Sequence, residues 1–444
     1  MAYIGTSPSQ GVRHRYLFTA TSGQTTFSGA DDDSRTLSYT DTKFMDVFLN
    51  GVLLDPNSDY TATTGTSVVL TSGASAGDLL EVIAFDSFSV FSGTFGGDVT
   101  VGGDLSTSSI NGGQVGGRRN MIINGDMRIA QRGTSGSVSS SFTFVLDRWS
   151  QRYNATDELA ATVTQDTDAP DGFSNSYKWT TTTAETTLAS DEYVYVNYKM
   201  EAQDAQHLAY GSASAKSVTL SFWVKSSVTG TYAVGIYATD GPRIINKTYT
   251  INSANTWEKK SITIEGDTGG TIDNDNAEGL RAIFHLAVGS DSKTVDSSSW
   301  VDYVAGAWGY GHNQDGVVTT TSATWQITGV QLEVGSVATE FEHRSYGEEL
   351  ALCQRYYVAG DIGNDGGYGY KYSGNTNTAM FNSSGKFPVE MRIAPTISVS
   401  GVTYVNASAL LTNVISTKVF LTRVSVSAGL SYRATGQWEA DAEL

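Results

Sequence analysis

Alternation with a period of two restricts this chain more than any other feature. In Val218–Val224 the residues Val218, Leu220, Phe222 and Val224 fall on one side. Tyr232, Val234 and Ile236 repeat the pattern, and so do Leu280, Ala282, Phe284, Leu286 and Val288. Trp325–Val334 is another long run of strand-like texture. Successive side chains of a strand point to opposite faces, so such runs are strands with one face toward a core. Long stretches of the strong helix formers Ala, Leu, Glu and Lys are absent, while 47 glycines and many Ser, Asn and Asp residues favour turns. The chain therefore reads as all-β. At 444 residues it is long enough for several domains, each with a core of its own.

Residues 1–92 read as a small β domain. Its strongest signal is Phe44–Leu54, apolar on both sides of Asn50-Gly51. Both of these residues tolerate positive φ, and the type I′ turn they favour matches the twist of a hairpin. Residues 93–117 change texture. Gly96-Gly-Asp-Val-Thr-Val101 is followed at once by Gly102-Gly-Asp-Leu-Ser-Thr107, a six-residue repeat with one dependable apolar side chain in each copy. One such strand cannot bury enough surface alone, but three chains wrapped about an axis could, with Val99 and Leu105 inward. The competing reading is a flexible Gly-rich linker. Residues 118–346 hold many strands separated by short polar turns, as in a sandwich or jelly roll. Ser345-Tyr-Gly-Glu348 has the form of a capping box, and the expected helix places Tyr346, Leu350, Cys353 and Tyr357 on one face, with Cys353 buried. Residues 347–444 comprise this short helix and a distal β domain.

Several functions are disfavoured. The formal charge is −18, so the average field repels nucleic acid and anionic membranes, and no apolar run approaches the length of a membrane span. The first residues lack a charged region followed by an apolar stretch, so no secretory signal is expected. One cysteine, Cys353, excludes an intrachain disulfide framework. The five histidines are scattered without zinc-ligand spacing, no Gly-x-Ser-x-Gly elbow occurs, and the coils of a polysaccharide-cleaving β-helix are not evident. The acidic loop Asp273–Glu278 offers oxygens to Ca²⁺ but lacks the spacing of an EF-hand and reads more simply as a turn. The expectation is a protein without cofactor and without enzymatic activity.

Three stretches resemble bacteriophage tail-fibre proteins of marine and cyanobacterial phages. The first comprises Met1-Ala-Tyr-Ile-Gly5 with Asp46–Leu54 and Asp59-Tyr-Thr-Ala62. The second is Asn120–Arg132 followed by Asp147-Arg-Trp149. The third is Trp325–Val334, then Phe341–Leu350 and Cys353-Gln-Arg-Tyr-Tyr357. The resemblance implies an N-terminal module that anchors the chain to a tail or baseplate protein. It also implies a jelly roll similar to carbohydrate-binding domains, a homotrimeric fibre, a place in the virion after synthesis in the host cytoplasm, and contact with a host-surface glycan or receptor.

Sugars present apolar C–H faces among hydroxyls, so aromatic platforms beside polar groups suit them. Trp300, Tyr303, Trp308 and Tyr310 cluster in the Gly-, Ser- and Asp-rich segment 296–316, and Tyr368, Tyr370 and Tyr372 share one face if extended. Either group could form a glycan platform. Either could equally pack on the sandwich or at a trimer interface, where aromatic residues are also enriched.

Overall fold

The computed structural model of the chain describes residues 13–85, 117–138, 140–154, 158–362, 380–405, 407–414, 416–426 and 433–444. The Gly-Gly-Asp repeat, the segment Met1–Gly5 and the three tyrosines 368, 370 and 372 lie outside these residues. The chain divides into two compact units, residues 1–106 and 107–444, and its described strands pair in antiparallel ladders.

In the first unit a four-stranded sheet runs Arg13–Thr19, Leu79–Phe85, Met45–Leu49, Val52–Leu53. A three-stranded sheet of Gln24–Ser28, Ser67–Ala74 and Tyr60–Thr61 accompanies it. Phe18, Phe27, Leu37, Val47, Val68, Leu80 and Val82 share one core. The Asn50-Gly51 hairpin forms with φ of 48° and 82°, as the type I′ turn requires. The Asn50 side chain fixes the turn to the next strand, donating to Asp78 Oδ1 and accepting from Leu79 N, both at 2.9 Å.

The second unit is built on a two-sheet sandwich of jelly-roll type. One sheet has seven strands, in the order Val301–Asp302, Arg243–Ile251, Gly230–Ala238, Glu278–Val288, Tyr193–Glu201, Trp149–Asn154, Thr143–Phe144. The other has six, in the order Glu258–Ile264, Val218–Ser226, Thr324–Val334, Ser176–Thr183, Ala160–Asp166, Ser135–Ser137. The alternating residues fill the space between them: Val218, Leu220, Phe222, Val224, Tyr232, Val234, Ile236, Leu280, Phe284 and Leu286 lie in one core with Trp149, Trp179 and Trp325.

Residues 347–444 contain two three-stranded sheets around Phe387, Phe420 and Trp438, yet they belong to the same compact unit as the sandwich. A buried polar seam joins them. Arg392 donates to Asn276, Ala442 and Glu443 carbonyls at 2.7–2.8 Å. Arg355 grips Glu201 with two hydrogen bonds of 2.7 and 2.8 Å, and Tyr356 Oη adds a third to the same carboxylate. Arg148 pairs with Glu443 inside the protein. The acidic loop at 273–278 thus serves as a docking edge, with Asn276 both accepting from and donating to Arg392.

The second and third of the stretches that carry the resemblance meet in this region. Asn120 bonds Val330 O and Leu332 N, Asn124 bonds Ile129 and Asp147, and Trp149 Nε1 donates to Asn124 O at 2.9 Å. The helix runs Tyr346–Gln354 and Ser345 caps it, accepting from Glu348 N at 3.3 Å. Its inner face differs from the expected one. Tyr346 is 58% exposed, and Tyr357 lies beyond the helix in the strand Tyr357–Ile362. Glu349 and Cys353 are the buried members. A hydrophobicity pattern misses Glu349 because a partner pays for its burial: Arg344 Nη1 lies 3.2 Å away.

Candidate functional site

The parity that sends the apolar residues of the seven-stranded sheet inward sends another set outward. Strand register arranges that set in rows. Arg152 stands opposite Tyr195, and Tyr195 opposite His285. Lys199 stands opposite Arg281, and Arg281 opposite Tyr237. Tyr193 and Tyr195 are stacked, 5.7 Å apart with 24° between their planes. Above this face lies the segment 296–316. Together they enclose a groove of about 470 Å³, bounded by Arg152, Tyr193, Tyr195, Tyr237, Arg281, Tyr303 and Trp308, with Asp191 and Asp291 also on its wall.

The covering segment is held from below. Asn246, buried in the sheet, donates from Nδ2 to Ser297 Oγ at 2.8 Å and to Ala307 O at 2.9 Å. Arg243 donates to Trp300 O and to Asp302, and Tyr303 N donates to Pro242 O at 2.9 Å. These bonds seat Trp308 5.4 Å from Tyr195 and 6.0 Å from Tyr237, while Tyr303 sits 5.1 Å from Tyr237 and 5.8 Å from Trp308. Trp308 is only 8% exposed and forms the groove's wall, whereas Tyr303 is 37% exposed at its lip.

Of the four rings expected in segment 296–316, two are therefore together. Trp300 packs elsewhere, its ring 5.7 Å from Tyr210 and its Nε1 donating to Glu265 O at 2.7 Å. Tyr310 is turned to Asp296. The residues missed in the sequence are Tyr193, Tyr195, Tyr237, Arg152 and Arg281. Their signal was present as the second parity of the same strands, but parity does not say whether an outward face meets solvent or a covering loop.

Burial raises the hydroxyl pKa of Tyr195 to about 12 and pushes those of Tyr237 and Tyr303 upward. All three are neutral hydrogen-bonding groups at ordinary pH. Burial opposes the charge on Arg281, but the two hydrogen bonds to Glu278, 2.7 and 2.9 Å, more than restore it. Beneath Trp308 lies His285, fully buried and held well below the usual imidazole range, first by burial and then by His312, whose ring is 6.2 Å away. The other sheet bears a smaller recess of about 240 Å³ lined by Phe173, Trp223, Phe341 and His343.

No family model matches the chain, and no curated protein is similar to it in sequence. Among solved structures, the chain is similar to an enzymatically active domain of tailspike protein 4 of bacteriophage CBA120. The identity is 14% and the TM-score 0.26, over 48% of this chain but only 21% of that one. A family 11 carbohydrate-binding module of a Clostridium thermocellum cellulase matches at 14% identity and a TM-score of 0.24, over 47% of this chain and 100% of the module. A xylan-binding domain of Paenibacillus barcinonensis matches at 9% identity and a TM-score of 0.25, over 52% of this chain and 100% of the domain. At these scores the likenesses establish no kinship.

Proposed function

We propose that this chain is a non-enzymatic attachment subunit of a bacteriophage tail fibre, and that it holds a host-surface glycan in the aromatic groove of its sandwich. The observation that carries the binding is the groove itself. Tyr193, Tyr195, Tyr237, Tyr303 and Trp308 converge on one recess, flanked by guanidinium and carboxylate groups. Rings supply faces for the C–H surface of a sugar, and the charged groups and phenols supply donors and acceptors for its hydroxyls. The remaining parts of the reading come from the sequence. In it, residues 1–92 dock on a tail or baseplate protein, the Gly-Gly-Asp repeat winds with two other copies into a short stalk, and the homotrimer belongs to the virion.

The test is binding of the full chain to cells and to envelope polysaccharide of candidate hosts, with solution mass and released sugar measured on the same sample. A trimer that binds, releases no sugar, and loses binding on Tyr303→Ala and Tyr237→Ala supports the reading. Retention of binding by both variants would remove the groove from it. Soluble sugar products would replace attachment with cleavage, and a monomer would remove the fibre.

A further inference from the structure

We infer that the groove is built for a saccharide that carries a carboxylate, with Arg152 and Arg281 as the seat of that group. This deepens the glycan reading above and rests on it.

The chain is strongly acidic, with 46 Asp and Glu against 28 Lys and Arg. Arginines in it ordinarily meet a carboxylate, as Arg148, Arg243, Arg344 and Arg355 do. Arg152 lines the groove and forms no ion pair with a carboxylate among the described residues. Its guanidinium carbon lies 5.2 Å from the centre of the Phe142 ring, and that of Arg281 lies 5.4 Å from the same ring. Lys199 Nζ is 4.0 Å from it as well. Three cations therefore gather around one aromatic ring. Glu278 is bonded to two of them, Arg281 and Lys199, and leaves Arg152 unneutralised.

The register gives the groove a direction. Asn154 pairs with Tyr193 at one end, and Asn154 Nδ2 donates to Asp191 O there. Asp291, the other aspartate of the groove, is tied by Ser190 Oγ at 2.8 Å beside that end. Lys199, Arg281 and Tyr237 stand in a row at the opposite end, with the Arg152–Tyr195 pair between. A ligand with acceptors and donors spread evenly along it would gain nothing from this gradient. A sugar acid fits it. The planar carboxylate meets guanidinium N–H groups, which match it in shape and charge. The ring lies on the tyrosines, and its hydroxyls donate to the aspartates.

The experiment compares oligosaccharides of galacturonate, glucuronate and mannuronate with their methyl esters, which keep the shape and remove the charge. Calorimetric titration of the full chain is expected to show at least one acid form bound roughly ten- to a hundredfold more tightly than its ester, the scale of a hydrogen bond to a charged group. Arg152→Ala is expected to lose that preference, and Arg152→Lys to recover only part of it, because an ammonium lacks the planar fork. Melting of each variant in parallel establishes that it is folded. Esters or neutral glucans bound as tightly as the acids would overturn this inference and leave the glycan reading standing. A sulfated oligosaccharide preferred over every uronate would overturn the carboxylate in favour of a bulkier anion. Failure of every oligosaccharide and host polysaccharide to bind would overturn both readings.

Discussion

Arg148→Met should cost more than any substitution at the surface of the groove. Arg148 is almost fully buried. Its Nη1 pairs with Glu443, its Nη2 donates to Lys199 O at 2.5 Å, and its guanidinium carbon lies 3.4 Å from the centre of the Tyr356 ring. Burial opposes the charge, and Glu443 more than offsets that, so the pKa is raised. Removal of the guanidinium leaves the buried Glu443, among the described residues, with Arg132 at 3.3 Å as its remaining ion-pair partner. Breaking one partner of a buried pair costs about 3–5 kcal/mol. A domain of 150–250 residues loses about 2–4 °C in melting temperature per kcal/mol. The unit here spans 107–444, so the low end applies, which gives a fall of about 6–10 °C. Glu443→Gln should fall comparably, since it strands Arg148 instead. The double variant should recover part of the loss, because neither charge is then left alone. Scanning calorimetry on all four proteins measures this directly. A shift below about 2 °C for Arg148→Met, or a double variant equal to the sum of the singles, would refute the coupling and with it the view that Asp147-Arg-Trp149 is a structural motif.

Gly329 has φ of 61°, and a Cβ there would stand 2.6 Å from Phe173 Cζ and 3.1 Å from Trp223 Cδ1. Gly329→Ala should therefore destabilise by about 2–4 kcal/mol, from left-handed strain plus overpacking, read as a lower denaturant midpoint. His285 has a folded pKa below its unfolded value of about 6.5. The unfolded chain therefore takes up that proton first, and stability falls as pH drops through this window toward the folded pKa. His285→Leu should flatten the loss between pH 7 and 5 in urea titrations; identical pH dependence in both proteins would contradict it. Ser345→Ala removes the helix cap and should cost about 1 kcal/mol by denaturant unfolding.

The sequence by itself determined the class of fold, because a period of two can satisfy one buried face only as a strand. Phe222, Ile236 and Leu286 stand in the core where alternation put them, and the turn at Asn50-Gly51 needed only two residues that accept positive φ. Helix existence was likewise local, since Ser345 and the Glu348 amide suffice to start it. Which outward residues would meet was decided by tertiary structure. Tyr193 and Tyr237 are brought together by strands whose order in the sheet is not their order in the chain. Trp300 and Trp308 are eight positions apart, yet Asn246 and Arg243, distant in sequence, direct only Trp308 into the groove. The second and third stretches of the resemblance proved to line a seam, because Asn120, Arg148, Glu349 and Tyr356 must each satisfy a polar group inside the protein. A local pattern records that a residue is unusual; only the packed chain shows whether it is turned inward to hold the fold or outward to hold a ligand.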